Sequence, residues 1–464
     1  MSKKSSDYAK RKNIICTIIT VLLVILIIVG ISVFFKKDTA EVDLFPGLPV
    51  GGEVYDDENG GYTIDRVLII SRHNIRSPLS GGDSLLSQVT PHEWFRWTSN
   101  PGELSVKGGQ LEVSMGQYFR KALEDAGYIP ENWVPEEGQV RFYANSMQRT
   151  ISTAKFFAAG LLPVANTEIE YHKEVGEVDE IFCPILRTDD PAFEAQVRKE
   201  IDEMGGAEGL VGISKNLRES YELLEKFLDF KDSKYAKENN LTHIPMDDVA
   251  IKFEKGEEIA MTGGMKTANS AVDALKLQIY EEENPDKALF GHKMTTEELQ
   301  KISRIADAYQ EICEGTKNLA THVCAPMLTE MENEFETPGR RFTFLCGHDS
   351  TITSIVGALD IADYELPGAI SQKAPIGVKM LFEKFIGPDG QKYMKIKMCY
   401  ASADQLRHNT ILSLDNPPMF YNLKLEGIQT NADGFYKYED VMNRFDEAIQ
   451  LGNKYGGTAA EQAA

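Results

Sequence analysis

Basic residues are in short supply: 49 Lys and Arg stand against 71 Asp and Glu, a formal charge of −22. Seven of them (Lys3, Lys4, Lys10, Arg11, Lys12, Lys36 and Lys37) fall at the start of the chain, where only Asp7 opposes them, so the remainder is more acidic still. A body of that sign is a poor partner for nucleic acid or for an anionic membrane surface, and any anion site in it must be built by a local arginine cluster. Cysteine is scarce too. Cys16 lies near the N-terminus, and Cys183, Cys313, Cys324, Cys346 and Cys399 are the rest. The spacings match no zinc pattern and a chain this long needs no covalent staples, so buried free thiols are expected, with a Cys313–Cys324 pair left open. Metal-like spacing is also missing among His92, His172, His243, His292, His322 and His408, which are expected to be structural or exposed. No internal repeat is apparent.

Charge is absent altogether from Ile14 to Phe35, a run long enough to span a bilayer. Its basic N-terminal flank, set against Asp38, Glu41 and Asp43, predicts a cytoplasmic tail over 1–13, a transmembrane signal anchor over 14–35 and a catalytic body outside the cytoplasm. The run is long for a cleavable signal peptide, and no small-x-small cleavage site directly follows Phe35. A Gly-, Pro- and acid-rich linker is expected over 36–62, and a disordered tail over 456–464.

Between these ends three apolar runs each stop in a polar loop. Val67-Leu68-Ile69-Ile70 leads into Ser71-Arg72-His73-Asn74-Ile75-Arg76-Ser77-Pro78, which reads as a buried strand delivering a functional turn. Gln139 to Ala144 predicts a second strand, ending near Arg149 where a helix begins. Arg341 to Cys346 predicts a third, followed by Gly347-His348-Asp349 and a helix over 351–359 capped by Ser350 or Thr351. A helix is expected from Leu104, and two further strands, 378–385 and 393–401, flank the hairpin signal Gly387-Pro388-Asp389-Gly390. Residues 162–337 are rich in charged helical stretches and read as an α-helical cap inserted between the two halves, 63–161 and 338–455, of an α/β domain. Trp94, Phe95 and Trp97 lie in a Ser-, Gly- and Pro-rich loop, either walling a substrate pocket or clipping the loop together.

Alternating strands and helices predict a mainly parallel sheet flanked by helices, and ligands of such sheets bind outside the carboxyl ends of the strands. That rule makes the three loops neighbours and gathers Arg72, Arg76, Arg149, His73, His348 and Asp349. Guanidinium forks match phosphate oxygens, imidazole can attack phosphorus, and a carboxylic acid can protonate the departing oxygen. Nearby guanidinium charge should keep a nucleophilic His neutral. An Asp acid, with a reference pKa of about 3.9, should favour turnover in acid.

Arg72-His73-x-x-Arg76-x-Pro78, Gln148-Arg149-Thr150 and Gly347-His348-Asp349 resemble the histidine acid phosphatases. Ser71-Arg72-His73-Asn74, Phe142 to Ser146, Leu277 to Glu281, Pro375-Ile376-Gly377, Ser402 to Arg407 and Asn431 to Phe435 are similar to the branch that holds bacterial glucose-1-phosphatases and periplasmic phytases. The resemblance runs from about Val67 to Leu451. It implies a phosphoglycerate-mutase-like fold and an acid phosphatase acting on small phosphomonoesters, glucose 1-phosphate or a similar sugar phosphate, with inositol polyphosphate as the alternative. It also implies that His73 is the nucleophile, that Asp349 is the proton donor, that Arg72, Arg76, Arg149 and His348 hold the phosphate, and that no metal or other cofactor takes part. Glu281 matches an acidic residue that narrows the pocket in glucose-1-phosphatase-like enzymes; in the run Glu281-Glu282-Glu283 it reads equally as a solvated helix end. Asn74 stands where most relatives have Gly, and is expected to tolerate the same left-handed turn. The relatives' late cysteine pair is matched by Ile428 and Tyr436, so that disulfide is absent. The rival reading from another class is a catalytically silent surface-binding protein that keeps the fold, against which the intact His73 and Asp349 speak.

Overall fold

Apolar alternation along the first strand explains the layering of the molecule. In the computed structural model, which describes residues 43–52, 60–79 and 84–455, strand β1 (Thr63–Arg72) turns Leu68 and Ile70 to one core and Val67 and Ile69 to the other. Such a strand is covered on both faces, as the period of two requires. The first face packs on α5 (Lys317–Glu336), α6 (Asp349–Ala358) and α7 (Tyr438–Asn453) through residues such as Met327, Ile355 and Phe445. The second packs on α1 (Val106–Asp125) and α2 (Gln148–Leu161) through Tyr118, Phe119 and Phe157. These elements all belong to one unit, Phe45–Ala464.

The sheet adds β2 (Val140–Ala144), β5 (Phe342–Gly347), β6 (Lys379–Ile386), β7 (Lys392–Tyr400), β8 (Met419–Asn422) and β9 (Tyr436–Lys437). Its order is β2-β5-β1-β6-β7-β8, with β9 also on β7. Only β2–β5 and β5–β1 are parallel; β1–β6, β6–β7, β7–β8 and β7–β9 are antiparallel. The expectation of a mainly parallel sheet is therefore corrected to a mixed one. β6 and β7 are joined by the tight turn at Gly387–Gly390, and such a turn can only join antiparallel neighbours. The expected transmembrane element is corrected as well: among the described residues no helix is long and apolar enough to cross a membrane. The stretches 1–13 and 14–35, most of the linker and the tail 456–464 lie outside the described residues.

The insertion between α2 and β5 is mainly helical, but it holds a two-stranded hairpin, β3 (Val249–Lys252) with β4 (Ala260–Gly263). It also contains α3 (Gly264–Glu281) and α4 (Thr296–Gln310), and its own core is built from residues such as Phe193, Ile201, Met261 and Met265. Its last helix, α5, lies against the sheet, so the helical layer over the sheet begins well before residue 338. Cys183, Cys313, Cys324, Cys346 and Cys399 are all free and buried. Cys313 packs in the insertion's core and Cys324 in that of the sheet, which separates the one pair left open by the sequence.

Candidate active site

Register places the site. Arg72 pairs with Gly347 at the carboxyl ends of the parallel β1 and β5, and Ala144 pairs with Cys346 at the end of β2. The next residue on each chain, His73 and His348, therefore leaves the sheet side by side, with ring centroids 5.5 Å apart. The His73 amide donates to the Gly347 carbonyl at 3.1 Å and that of Asn145 to the Cys346 carbonyl at 2.9 Å, which tie the three loops together. His73, Arg76, Arg149, His348 and Asp349 line one cavity of about 300 Å³. Arg72 stands behind Asp349, its Nη2 3.0 Å from Oδ2, with its other Nη held by the Ala374 carbonyl.

Hydrogen bonding fixes both tautomers. A carbonyl only accepts, so His73 Nδ1, 2.8 Å from the Asn74 carbonyl oxygen, carries the ring proton and Nε2 keeps its lone pair. Burial, then the charges of Arg149 and Arg76, push the His73 pKa well down and keep that lone pair free at neutral pH. His348 holds the same tautomer but turns its other edge to the cavity. Its Nε2 accepts from Asn145 Nδ2 at 2.6 Å, since the side-chain oxygen Oδ1 of Asn145 is taken by the Asp179 amide at 3.3 Å. The proton of His348 thus sits on Nδ1, 3.4 Å from Arg149 Nη2, where both can donate to one anion.

Arg149 begins the first turn of α2, and burial followed by the charge of Arg76 lowers its pKa only to about 10, so it remains charged. Arg76 Nη2 meets Asp273 at 3.2 Å. The Nε atoms of Arg72, Arg76 and Arg149 are all buried without a hydrogen-bond partner, which is consistent with a cluster prepared for an incoming acceptor. Asp349 opens α6, where His348 is the cap residue and its amide donates to Thr351 Oγ1 at 3.0 Å; the helix starts two residues before the expected 351. Burial alone would raise the Asp349 pKa, but Arg72 and Arg76 outweigh it and hold the carboxyl well below its usual range. The resting group is a carboxylate.

Asn74 is not in the left-handed conformation that the sequence suggested. Its side chain donates to Glu112 Oε1 at 2.7 Å, and Glu112 is held by Lys379 at 2.8 Å in a fully buried pair. Gly377 (φ +71°) makes room for it: a Cβ there would lie 2.6 Å from Asn74 Nδ2. Asn74 thus anchors the loop that aims His73.

Glu281 does not line the cavity. It ends α3 and accepts from Ser105 Oγ at 3.0 Å, while Asp273, eight residues earlier and about 12 Å along the helix, faces the catalytic arginines. Trp94 and Phe95 line a separate groove with Gln278 and Phe290. The far wall of the cavity consists of residues the sequence reading missed: Glu258 beside β4, Lys266, Asp273 and Lys276 on α3, and Glu314 in the π-helical turn Glu311–Gly315. Burial raises the pKa of Glu258, and burial with the charges of Asp349 and Glu258 raises that of Glu314 further. The spacing Lys266, Ser270, Asp273, Lys276 is a polar stripe at helical period on an otherwise buried helix, a signal present in the sequence.

Comparison with known proteins follows the same outline. The chain matches the family described as histidine phosphatase superfamily (branch 2) over residues 63–400. It is similar to a glucose-1-phosphatase of Providencia rettgeri, 34% identical over 400 residues that cover 85% of this chain and 94% of that protein. A glucose-1-phosphatase of Salmonella typhimurium is 33% identical over 390 residues, covering 82% and 92%. The solved phytase of Citrobacter braakii shares the fold, with a TM-score of 0.75 at 24% identity over 84% of this chain and 97% of that one.

Proposed function

Since this chain belongs to the histidine phosphatase superfamily, branch 2, and is a phosphomonoesterase of that type, we propose that it acts on a small sugar phosphate such as glucose 1-phosphate, with His73 as the residue phosphorylated. The free lone pair on His73 Nε2, fixed by the proton on Nδ1 and facing a cavity edged by arginine, carries this reading. Arg76, Arg149 and the Nδ1–H of His348 hold the phosphoryl oxygens, and Arg72, bound to Asp349 behind the cavity, adds its charge. Nε2 of His73 attacks phosphorus as the ester oxygen departs with a proton from Asp349, and water drawn to the same carboxylate then cleaves the N–P bond and releases phosphate. Asp349 must gain that proton after the resting state. A bound phosphate dianion opposes the guanidinium charge that holds the carboxyl ionised, and so raises its pKa.

The far wall supports a small substrate. Glu258, Asp273 and Glu314 share that wall with Lys266 and Lys276; burial raises the pKa of both Glu, Asp273 is paired with Arg76, and the wall offers further phosphates two lysines and no arginine. An ester with a single phosphate is accommodated there better than one with phosphates at every position. Initial rates should be higher on glucose 1-phosphate than on phytate, and a denaturing alkaline quench with radioactive substrate should label the wild-type chain but not His73→Ala. Faster turnover of phytate overturns the substrate assignment, and label surviving in His73→Ala overturns the nucleophile. A location outside the cytoplasm is part of the same proposal, supported by the basic residues ahead of the apolar run 14–35, an export-signal pattern. Activity confined to the cytosolic fraction of broken cells would count against it.

A further inference from the structure

His92, Asp229 and His292 are far apart in sequence, the first two separated by 137 positions and the last two by 63, so no spacing motif announces them. The fold brings them to one point. His92 Nε2 lies 2.7 Å and His292 Nε2 3.1 Å from the same oxygen, Asp229 Oδ2. One donor atom from each residue falls within 4.8 Å of the other two.

We propose that His92, Asp229 and His292 form a structural site for a borderline divalent cation of the Zn²⁺ class. Two imidazole nitrogens and one carboxylate oxygen are a three-ligand zinc set, with the fourth position left to water. Four-coordinate zinc holds N and O ligands at about 2.0–2.2 Å, which in a tetrahedron spaces them by about 3.3 Å. The two N···O distances need to open by only a few tenths of an ångström to admit the ion. Each ring then carries its proton on Nδ1 and offers the Nε2 lone pair.

The ligands are oriented by packing as well as by each other. His92 stacks on Phe290 (4.8 Å, 21°), which stacks in turn on Phe227 (4.9 Å, 23°) and receives Trp94 edge-on (5.1 Å). Asp229 caps the helix Arg218–Leu228 in the left-handed conformation (φ 47°), which turns its carboxyl out of the helix. The three side chains remain 30%, 39% and 23% exposed, so an ion has a way in. The groove beside His92 shares no lining residue with the catalytic cavity. The ion would act as a clamp, tying the loop that follows Leu86, itself a residue of the cavity wall, to the helical insertion.

Co²⁺ as a probe tests this on the full chain after chelator treatment. One equivalent should give the visible absorption of a low-symmetry nitrogen–oxygen site and raise the thermal midpoint. His92→Gln and His292→Gln should each lose both effects while keeping phosphatase activity, and His73→Gln should retain both. A chain that gives no saturable band overturns the site. So does a band that survives His92→Gln and His292→Gln, or one that disappears in His73→Gln, which would put the ion on the catalytic histidines instead.

Discussion

Two histidines less than 6 Å apart do opposite work because hydrogen bonds fix the same Nδ1–H tautomer in both but turn opposite ring edges to the cavity. His73 presents a lone pair and His348 an N–H, although both are buried among the same arginines. The residue types were legible in the sequence, because each follows an apolar run that ends a strand. Their tautomers were not, since these depend on a carbonyl and an amide brought in by folding. The resting carboxylate of Asp349 leads to a prediction at this scale. If Asp349 delivers the proton to the departing oxygen, Asp349→Asn should slow a sugar phosphate by about 10²–10⁴-fold. It should slow p-nitrophenyl phosphate far less, because that leaving group needs no acid. Steady-state rates on the two substrates check this, and an equal loss on both would assign Asp349 to binding alone. In the wild type, kcat should fall as pH rises through the pKa of Asp349 in the substrate complex, a limb that Asp349→Asn should lack.

At the scale of elements, the site depends on how closely α1 and α2 cross. A Cβ on Gly116 would lie 2.2 Å from the Phe157 carbonyl oxygen, and one on Gly160 equally near that of Val113. Gly116→Ala must push the helices apart, at a cost of about 1–3 kcal/mol that exceeds the gain of about 1 kcal/mol in helix propensity. The denaturation midpoint should fall, and the KM should rise because Arg149 stands at the start of α2. Strands β1, β2, β5, β6 and β7 were readable from their β-branched or alternating runs, to within a residue at most ends. The hairpin β3–β4 was not: each strand has four residues, and only one in each is buried. α5 falls in the stretch 162–337 that reads as a cap, where charged helical runs look like solvated faces. Yet Glu334 is buried, accepting from Thr343 Oγ1 on β5 and paired with Arg141 on β2. Glu314 was hidden for the same reason, as a charge in a charged helical stretch cannot reveal which way it points.

Across the whole molecule, catalysis and stability pull in opposite directions with pH. Buried His322 accepts the Arg187 amide at Nε2 (3.0 Å) and donates from Nδ1 to the Gly452 carbonyl (3.1 Å). Burial and then the Arg187 charge push its pKa down to about 4. The unfolded chain, with a His pKa near 6.5, binds this proton first. The stability held by neutral His322 is therefore full above about pH 6.5 and is lost as pH falls toward 4, by about 3 kcal/mol. His73 and His348, also depressed, add to it in the same direction. Urea unfolding at pH 7 and pH 4 should show this loss in the wild type and a smaller one in His322→Asn. Protonation of the leaving group favours acid while the fold favours neutrality, so the working range should lie between them.

The order of strands also sets a delay. The carbonyl that holds Arg72 belongs to Ala374, 302 positions later, and both neighbours of β1, the strands β5 and β6, are made after the entire insertion. At about 5–20 residues per second, a ribosome needs about 15–60 s to cover that distance. For that time Val67 to Ile70 wait with both edges unpaired. A nascent chain halted before residue 342 should be a client for chaperones and prone to aggregate, and it should carry no phosphatase activity, because His348 and Asp349 do not yet exist.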